Sequence, residues 1–123
     1  MRIYKILFFL VLVFFSCSSK TPPGILTPEQ MTDVLIEVHL IDGQMLVKPQ
    51  APDTLYKYGM GQYIMAFKQH HTDSAQFRRS FIYYSRKPDQ LSDIYEKVIK
   101  NIQSKNDSLT KSISKQQNAL PRK

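Results

Sequence analysis

The sequence predicts an all-α fold, a small bundle of three to four antiparallel helices. Three observations carry this. Apolar residues recur at three- and four-residue steps through the middle of the chain, helix-starting residues stand before these stretches, and no segment sustains the period-two alternation of a strand. With 123 residues the chain has room for one domain. It is too short for a (β/α)8 barrel, or for a doubly wound nucleotide-binding domain with a substrate domain attached. A single Cys excludes an internal disulfide.

The N-terminal segment reads as an address. Arg2 and Lys5 precede an unbroken apolar run of ten residues, Ile6 to Phe15. A spanning helix needs about 20 residues, whereas ten is the size of a signal-peptide core. Ser16-Cys17 follows at once, with Phe14 and Phe15 before it. This resembles the lipobox of bacterial lipoproteins, in which the chain is cut before the Cys and that Cys is acylated. The resemblance implies a signal peptide over residues 1–16, Cys17 as the lipid attachment site, and a lipidated tether over 17–26 (Ser18, Ser19, Lys20, Thr21, Pro22 and Pro23 being its solvated or extended part). No acidic run follows the Cys. By resemblance this favours a membrane-anchored protein on the periplasmic side, at the outer membrane.

The helical domain is expected over 27–103. Thr27-Pro28-Glu29-Gln30 is a capping box with Pro at the first helical position. Met31, Val34, Leu35, Val38, Ile41 and Met45 form one stripe behind it, and the helix should end near Leu46, before Pro49 and Pro52. A second helix is expected from Asp53 or Thr54, with Tyr56, Met60, Tyr63 and Phe67 as its stripe. Gly59 and Gly61 each cost about 1 kcal/mol against Ala there, unless they permit a close crossing or the helix begins only at Met60. Thr72 is the expected cap of a third helix with Phe77, Phe81 and Tyr84 on its apolar side. Lys87-Pro88 ends it and Pro88 opens a fourth. Leu91, Ile94, Tyr95, Val98 and Ile102 make the clearest stripe in the chain. Short links favour antiparallel neighbours.

Residues 104–123 are rich in Ser, Lys, Asn and Gln, with Leu109 and Ile113 continuing the four-residue step thinly. They read as a fraying extension and then a basic, partly disordered tail. The whole chain carries a formal charge of +7, but residues 17–96 hold eight basic and nine acidic residues while residues 97–123 hold seven and one. The domain is therefore near neutral and the mature charge is nearly all in the tail.

The third and fourth helices together read Phe77-x-x-Ser80-x-x-Tyr83-Tyr84-x-x-x-Pro88-x-x-Leu91-x-x-Ile94-Tyr95-x-x-Val98. With Pro23, Ile25-Leu26, Thr27 to Gln30, Met31 and Glu37, this resembles the Bacteroidota lipoprotein family catalogued as domain of unknown function 4296, over about residues 22–102. The resemblance implies a helical domain and a lipoprotein, and it brings no activity.

No catalytic, metal or cofactor constellation stands out. His70 and His71 are adjacent, and adjacent helix residues point about 100° apart, so they do not face one ion. They read as a solvated helix end. Asp33, Glu37 and Asp42 read as a solvated face. Ser80 reads as a small residue permitting close helix packing, and Gly59-Met60-Gly61 lacks the third Gly and the strand of a phosphate loop. Candidate partner-binding residues are Arg78, Arg79, Tyr83, Tyr84 and Arg86, basic and aromatic groups suited to an anionic glycan or an envelope protein, and the acidic Glu37, which would line a glycan pocket with them. The exported location argues against nucleic acid. The expected role is binding or scaffolding without catalysis, with the membrane engaged through Cys17 and self-association through the fourth helix. The alternatives are an accessory subunit or enzyme of an envelope glycan system, and a polyanion binder using the tail.

Overall fold

The structure is a computed structural model that describes residues 21–119; the expected signal peptide and Cys17 lie outside the described residues. Four helices follow one another: α1 (Pro28–Leu46), α2 (Pro52–Gln69), α3 (Ser74–Ser85) and α4 (Pro88–Ala119). No strand occurs among the described residues.

The packed domain begins before α1. Pro22-Pro23-Gly24-Ile25 is a tight turn in which the Ile25 N–H donates to the Pro22 carbonyl at 3.1 Å. Gly24 has φ +82°, the left-handed value this turn needs after a Pro. The turn places Leu26 in the core, 2% exposed. Residues 22–26, expected as tether, are thus part of the fold.

The capping box closes as expected. Thr27 Oγ1 accepts from the Gln30 N–H at 3.2 Å and Gln30 Oε1 accepts from the Thr27 N–H at 3.0 Å. α1 buries Met31, Thr32, Val34, Leu35, Ile36 and Ile41. That is wider than one stripe, because α1 is the central helix, with α4 on one flank and α2 on the other. The Thr32 hydroxyl is accommodated by donating to the Pro28 carbonyl at 2.8 Å.

α2 starts at Pro52, not at Asp53, Thr54 or Met60. Its cap residue is Ala51, which makes no side-chain hydrogen bond, and Pro52 supplies the start by fixing φ and lacking the N–H that would be orphaned. Only Gly59, Ala66 and Phe67 of α2 are buried. Gly59 sits at the crossing with α1, but a methyl group there would meet Met45 Sδ at 3.6 Å, ordinary contact. The crossing therefore does not require glycine. α2 ends on His71 in the left-handed region, φ 53°, with the Thr72 N–H donating to the Phe67 carbonyl.

Asp73, rather than Thr72, caps α3: its carboxylate accepts from the Gln76 N–H at 2.7 Å. Thr72 instead donates to the Gln76 side chain. α3 buries Ser80 and Tyr84, while Phe81 remains 37% exposed. α4 begins at Pro88 and buries Ile94 and Val98. The core gathers these with Leu26, Met31, Val34, Leu35, Ile36, Phe67 and Tyr84.

α1 and α2 are antiparallel, as their short link implies: Gly59 lies beside Met45, and Tyr63 bonds to Asp42. α4 runs in the sense of α1. Tyr84, just before α4, touches Leu26 at the start of α1, and Tyr95 stacks near His39 further along it. The short α3 is what turns the chain back to the start of α1. The bundle is thus not antiparallel throughout as expected, since α1 and α4 run the same way. A further expectation changes: the segment from residue 104, read as fraying and then partly disordered, continues α4 as helix through Ala119. The hydroxyls of Ser108, Thr110, Ser112 and Ser114 donate to carbonyls of the preceding turn, as with Ser108 to Ser104 and Ser114 to Lys111.

Candidate functional site

Two side chains of α3, one helical turn apart, grip the backbone of one residue. The Ser80 hydroxyl accepts from the Leu26 N–H at 2.8 Å, and the Tyr84 hydroxyl donates to the Leu26 carbonyl at 2.8 Å. Ser80 donates in turn to the Gln76 carbonyl at 2.8 Å. Leu26 lies outside any helix, so both of its backbone groups need partners once buried. Ser80 is 0% and Tyr84 1% exposed. Burial raises the Tyr84 pKa, which keeps the phenol a donor. Ser80 is therefore a clamp, not merely a small residue. Tyr84, expected as a binding residue, belongs to the core.

The other expected binding residues do not converge. Glu37 is half-buried and lines a shallow hollow of about 260 Å³ between α1 and α2, with Leu40, Ile41, Gln62 and Met65. None of the α3 residues lines it. Arg78, Arg79 and Arg86 are exposed. Tyr83 packs edge-on against Tyr84 and accepts a hydrogen bond from Lys87 Nζ at 2.6 Å, the ammonium lying 4.3 Å from its ring centre. Lys87 is the basic residue that meets an aromatic ring here.

A second polar cluster joins α1, α2 and α4. The Tyr63 hydroxyl donates to Asp42, whose other oxygen lies 3.5 Å from His39 Nδ1. The His39 ring faces Tyr95 with centroids 5.9 Å apart, and its Nε2 is buried without a hydrogen-bond partner. Burial and then the hydrogen bond to the Asp42 carboxylate push the Tyr63 pKa up to about 12. His39 and Asp42 are three apart in sequence, a legible pair. Tyr63 arrives from another helix and could not be paired with them from spacing alone.

His70 and His71 stand at the C-terminus of α2, as expected. Among the described residues no group of three His, Cys, Asp or Glu could hold a metal ion. No described helix is long and apolar enough to cross a membrane.

The surface carries two further features. Tyr56, Met60 and Ile64 step by four along α2 and are 70%, 45% and 47% exposed. Tyr56 and Met60, both expected on the buried stripe, face out, because the α1 contact falls on the side of α2 bearing Gly59 and Ala66. On α4, Lys97, Lys100, Lys111 and Lys115 fall within one sector of about 60° at 3.6 residues per turn.

Among curated proteins and solved structures nothing matches the chain. A family described as Domain of unknown function (DUF4296) matches over residues 22–108. The match starts at the turn that delivers Leu26 to its clamp and takes in the start of α4's outer half, so on the full extent of its packed domain this chain belongs to that family.

Proposed function

We propose that the chain is an envelope lipoprotein, anchored through Cys17 at the outer membrane and facing the periplasm, that acts by binding another envelope protein and not by catalysis. The observation that supports the binding role is the row Tyr56, Met60 and Ile64. Three large apolar side chains on one helical face stay exposed although the domain has an apolar core available. Rows of this kind mark interaction surfaces. The Glu37 hollow, lined by Gln62 and Met65, opens on the opposite flank of α2 and is no part of this row.

Two measurements test the reading. Crosslinking of the intact chain in its native envelope should capture a protein, and Tyr56→Lys with Ile64→Lys should lose that protein while leaving the unfolding midpoint in place. Retention of the captured protein by this variant sinks the binding surface. Metabolic labelling with palmitate should mark the chain, and Cys17→Ser should abolish the label; an unlabelled native chain sinks the anchor.

The lysine face of α4 favours a second reading, attachment to an anionic glycan or lipid surface. Screening shortens such attraction to about 10 Å at 0.1 M salt. Binding that falls steeply with salt, and is lost when Lys111 and Lys115 become Gln, would establish it.

A further inference from the structure

We propose that the half of α4 beyond Ile102 is a dimerisation element, on which a second copy of this chain docks as a parallel two-stranded coiled coil, with Asn106 facing Asn106 across the axis. This goes beyond the binding role proposed above and does not rest on it. Residues 103–119 are helical and every one of them is exposed. They are poor material for a lone helix. Ser, Thr, Asn and Asp, which favour caps and turns over helix interiors, occupy seven of the positions from Ser104 to Ser114. A solitary helix of about 12–15 residues is marginal in water even with good formers. A partner surface is what such a segment lacks.

The spacing says which partner. Taking Ile99 as position a of a seven-residue repeat, positions a and d are Ile99, Ile102, Asn106, Leu109, Ile113 and Gln116. Ile102 packs against the domain's own core, so the free seam starts beyond it. There Leu109 at d and Ile113 at a match the pattern of two parallel strands, and one Asn at an a position fixes their register. Asn106 falls at an a between Ile99 and Ile113, where only in-register parallel pairing sets Asn against Asn. Ile99, Leu109 and Ile113 are 53%, 61% and 54% exposed, open to a second helix.

The charge pattern agrees. In this register Lys97, Lys100, Lys111 and Lys115 take positions f, b, f and c, on the outside of a pair. Only Lys105, at g, flanks the seam. An anionic surface would instead be met by the lysine face, roughly opposite Leu109 and Ile113, leaving those apolar groups in water. A second copy covers the apolar edge and leaves the lysines solvated.

The full chain in detergent should show a concentration-dependent monomer–dimer equilibrium by sedimentation. Leu109→Asp with Ile113→Asp should be monomeric at every concentration, with the unfolding midpoint that the native chain has at dilutions where it too is monomeric, because neither side chain touches the core. Asn106→Ile should tighten the association and loosen its restriction to dimers. With Cys17→Ser, an Asn106→Cys chain should oxidise to a covalent dimer. A native chain that is monomeric throughout overturns the proposal, as does a dimer untouched by the double Asp variant. A dimer that forms while Asn106→Cys fails to crosslink overturns the parallel register.

Discussion

The two halves of α4 carry the same kind of pattern and meet opposite fates. From Leu91 to Ile102 apolar residues recur every three or four positions, and Ile94 and Val98 are each 1% exposed. From Leu109 to Ile113 the same step continues on the same side of the helix, and both residues are more than half exposed. The step itself does not distinguish them, although the second stretch is the thinner. What differs is the neighbour: α1 and α3 pack against the first half, and the second half runs past the end of α1. A stripe thus reports a demand for burial, and only the rest of the chain, or another chain, decides whether it is met.

The sharpest way to break this comparison is truncation on each side of it. Ile94→Ala should destabilise the domain by about 2–5 kcal/mol, the range for emptying a packed aliphatic site, whereas Leu109→Ala should stay within about 0.5 kcal/mol in the monomer. Denaturant titration of both at low concentration checks this, and equal costs would mean that the outer half is packed in solution. The inner half also depends on the clamp that holds α3 in place. Tyr84→Phe leaves the Leu26 carbonyl buried without its donor, and Ser80→Ala does the same to the Leu26 N–H. Each should cost about 1–3 kcal/mol, read from the shift of the denaturation midpoint.

A subtler probe is alkaline pH. Tyr63 holds its proton to about 12 in the folded state, above the ordinary 10.0. The unfolded chain therefore releases that proton first as pH rises. Tyr63 favours folding fully below about pH 10, and this contribution is lost between about 10 and 12. Tyr63→Phe should flatten the fall in stability across that window, measured by thermal unfolding at stepped pH. A small gain, not a loss, is expected at Gly61, where an added methyl group meets nothing within 4 Å. Gly61→Ala should raise stability by about 0.5–1 kcal/mol, by calorimetry, through helix propensity and a less free unfolded chain.

Much of the architecture is legible because local chemistry specifies it. Thr27 and Gln30 write the start of α1, and Pro88 the start of α4. α2 is harder, since Ala51 offers no capping side chain and Pro52 looked like part of a loop. Its stripe includes Tyr56 and Met60, which face out, because steps of four identify a face without saying whether anything covers it. The clamp was illegible for a different reason. Ser80 and Tyr84 act on a residue more than fifty positions away, and a Ser between aromatics carries no mark of the backbone it will hold. The expected binding set failed to gather because Tyr84 was needed inside, while Glu37 and the α3 arginines sit on separate surfaces.

The shared direction of α1 and α4 has a mechanical consequence. Both helices set out from the end of the domain where Leu26 is gripped. At 1.5 Å per residue α1 is about 28 Å long and α4 about 48 Å, so α4 outreaches its neighbour by roughly 20 Å at the far pole. The two poles of the domain are therefore unlike: one is closed by the Ser80–Leu26–Tyr84 grip, where a pull applied at residue 21 would first load two buried hydrogen bonds, and the other is a single bare helix end a full body length away.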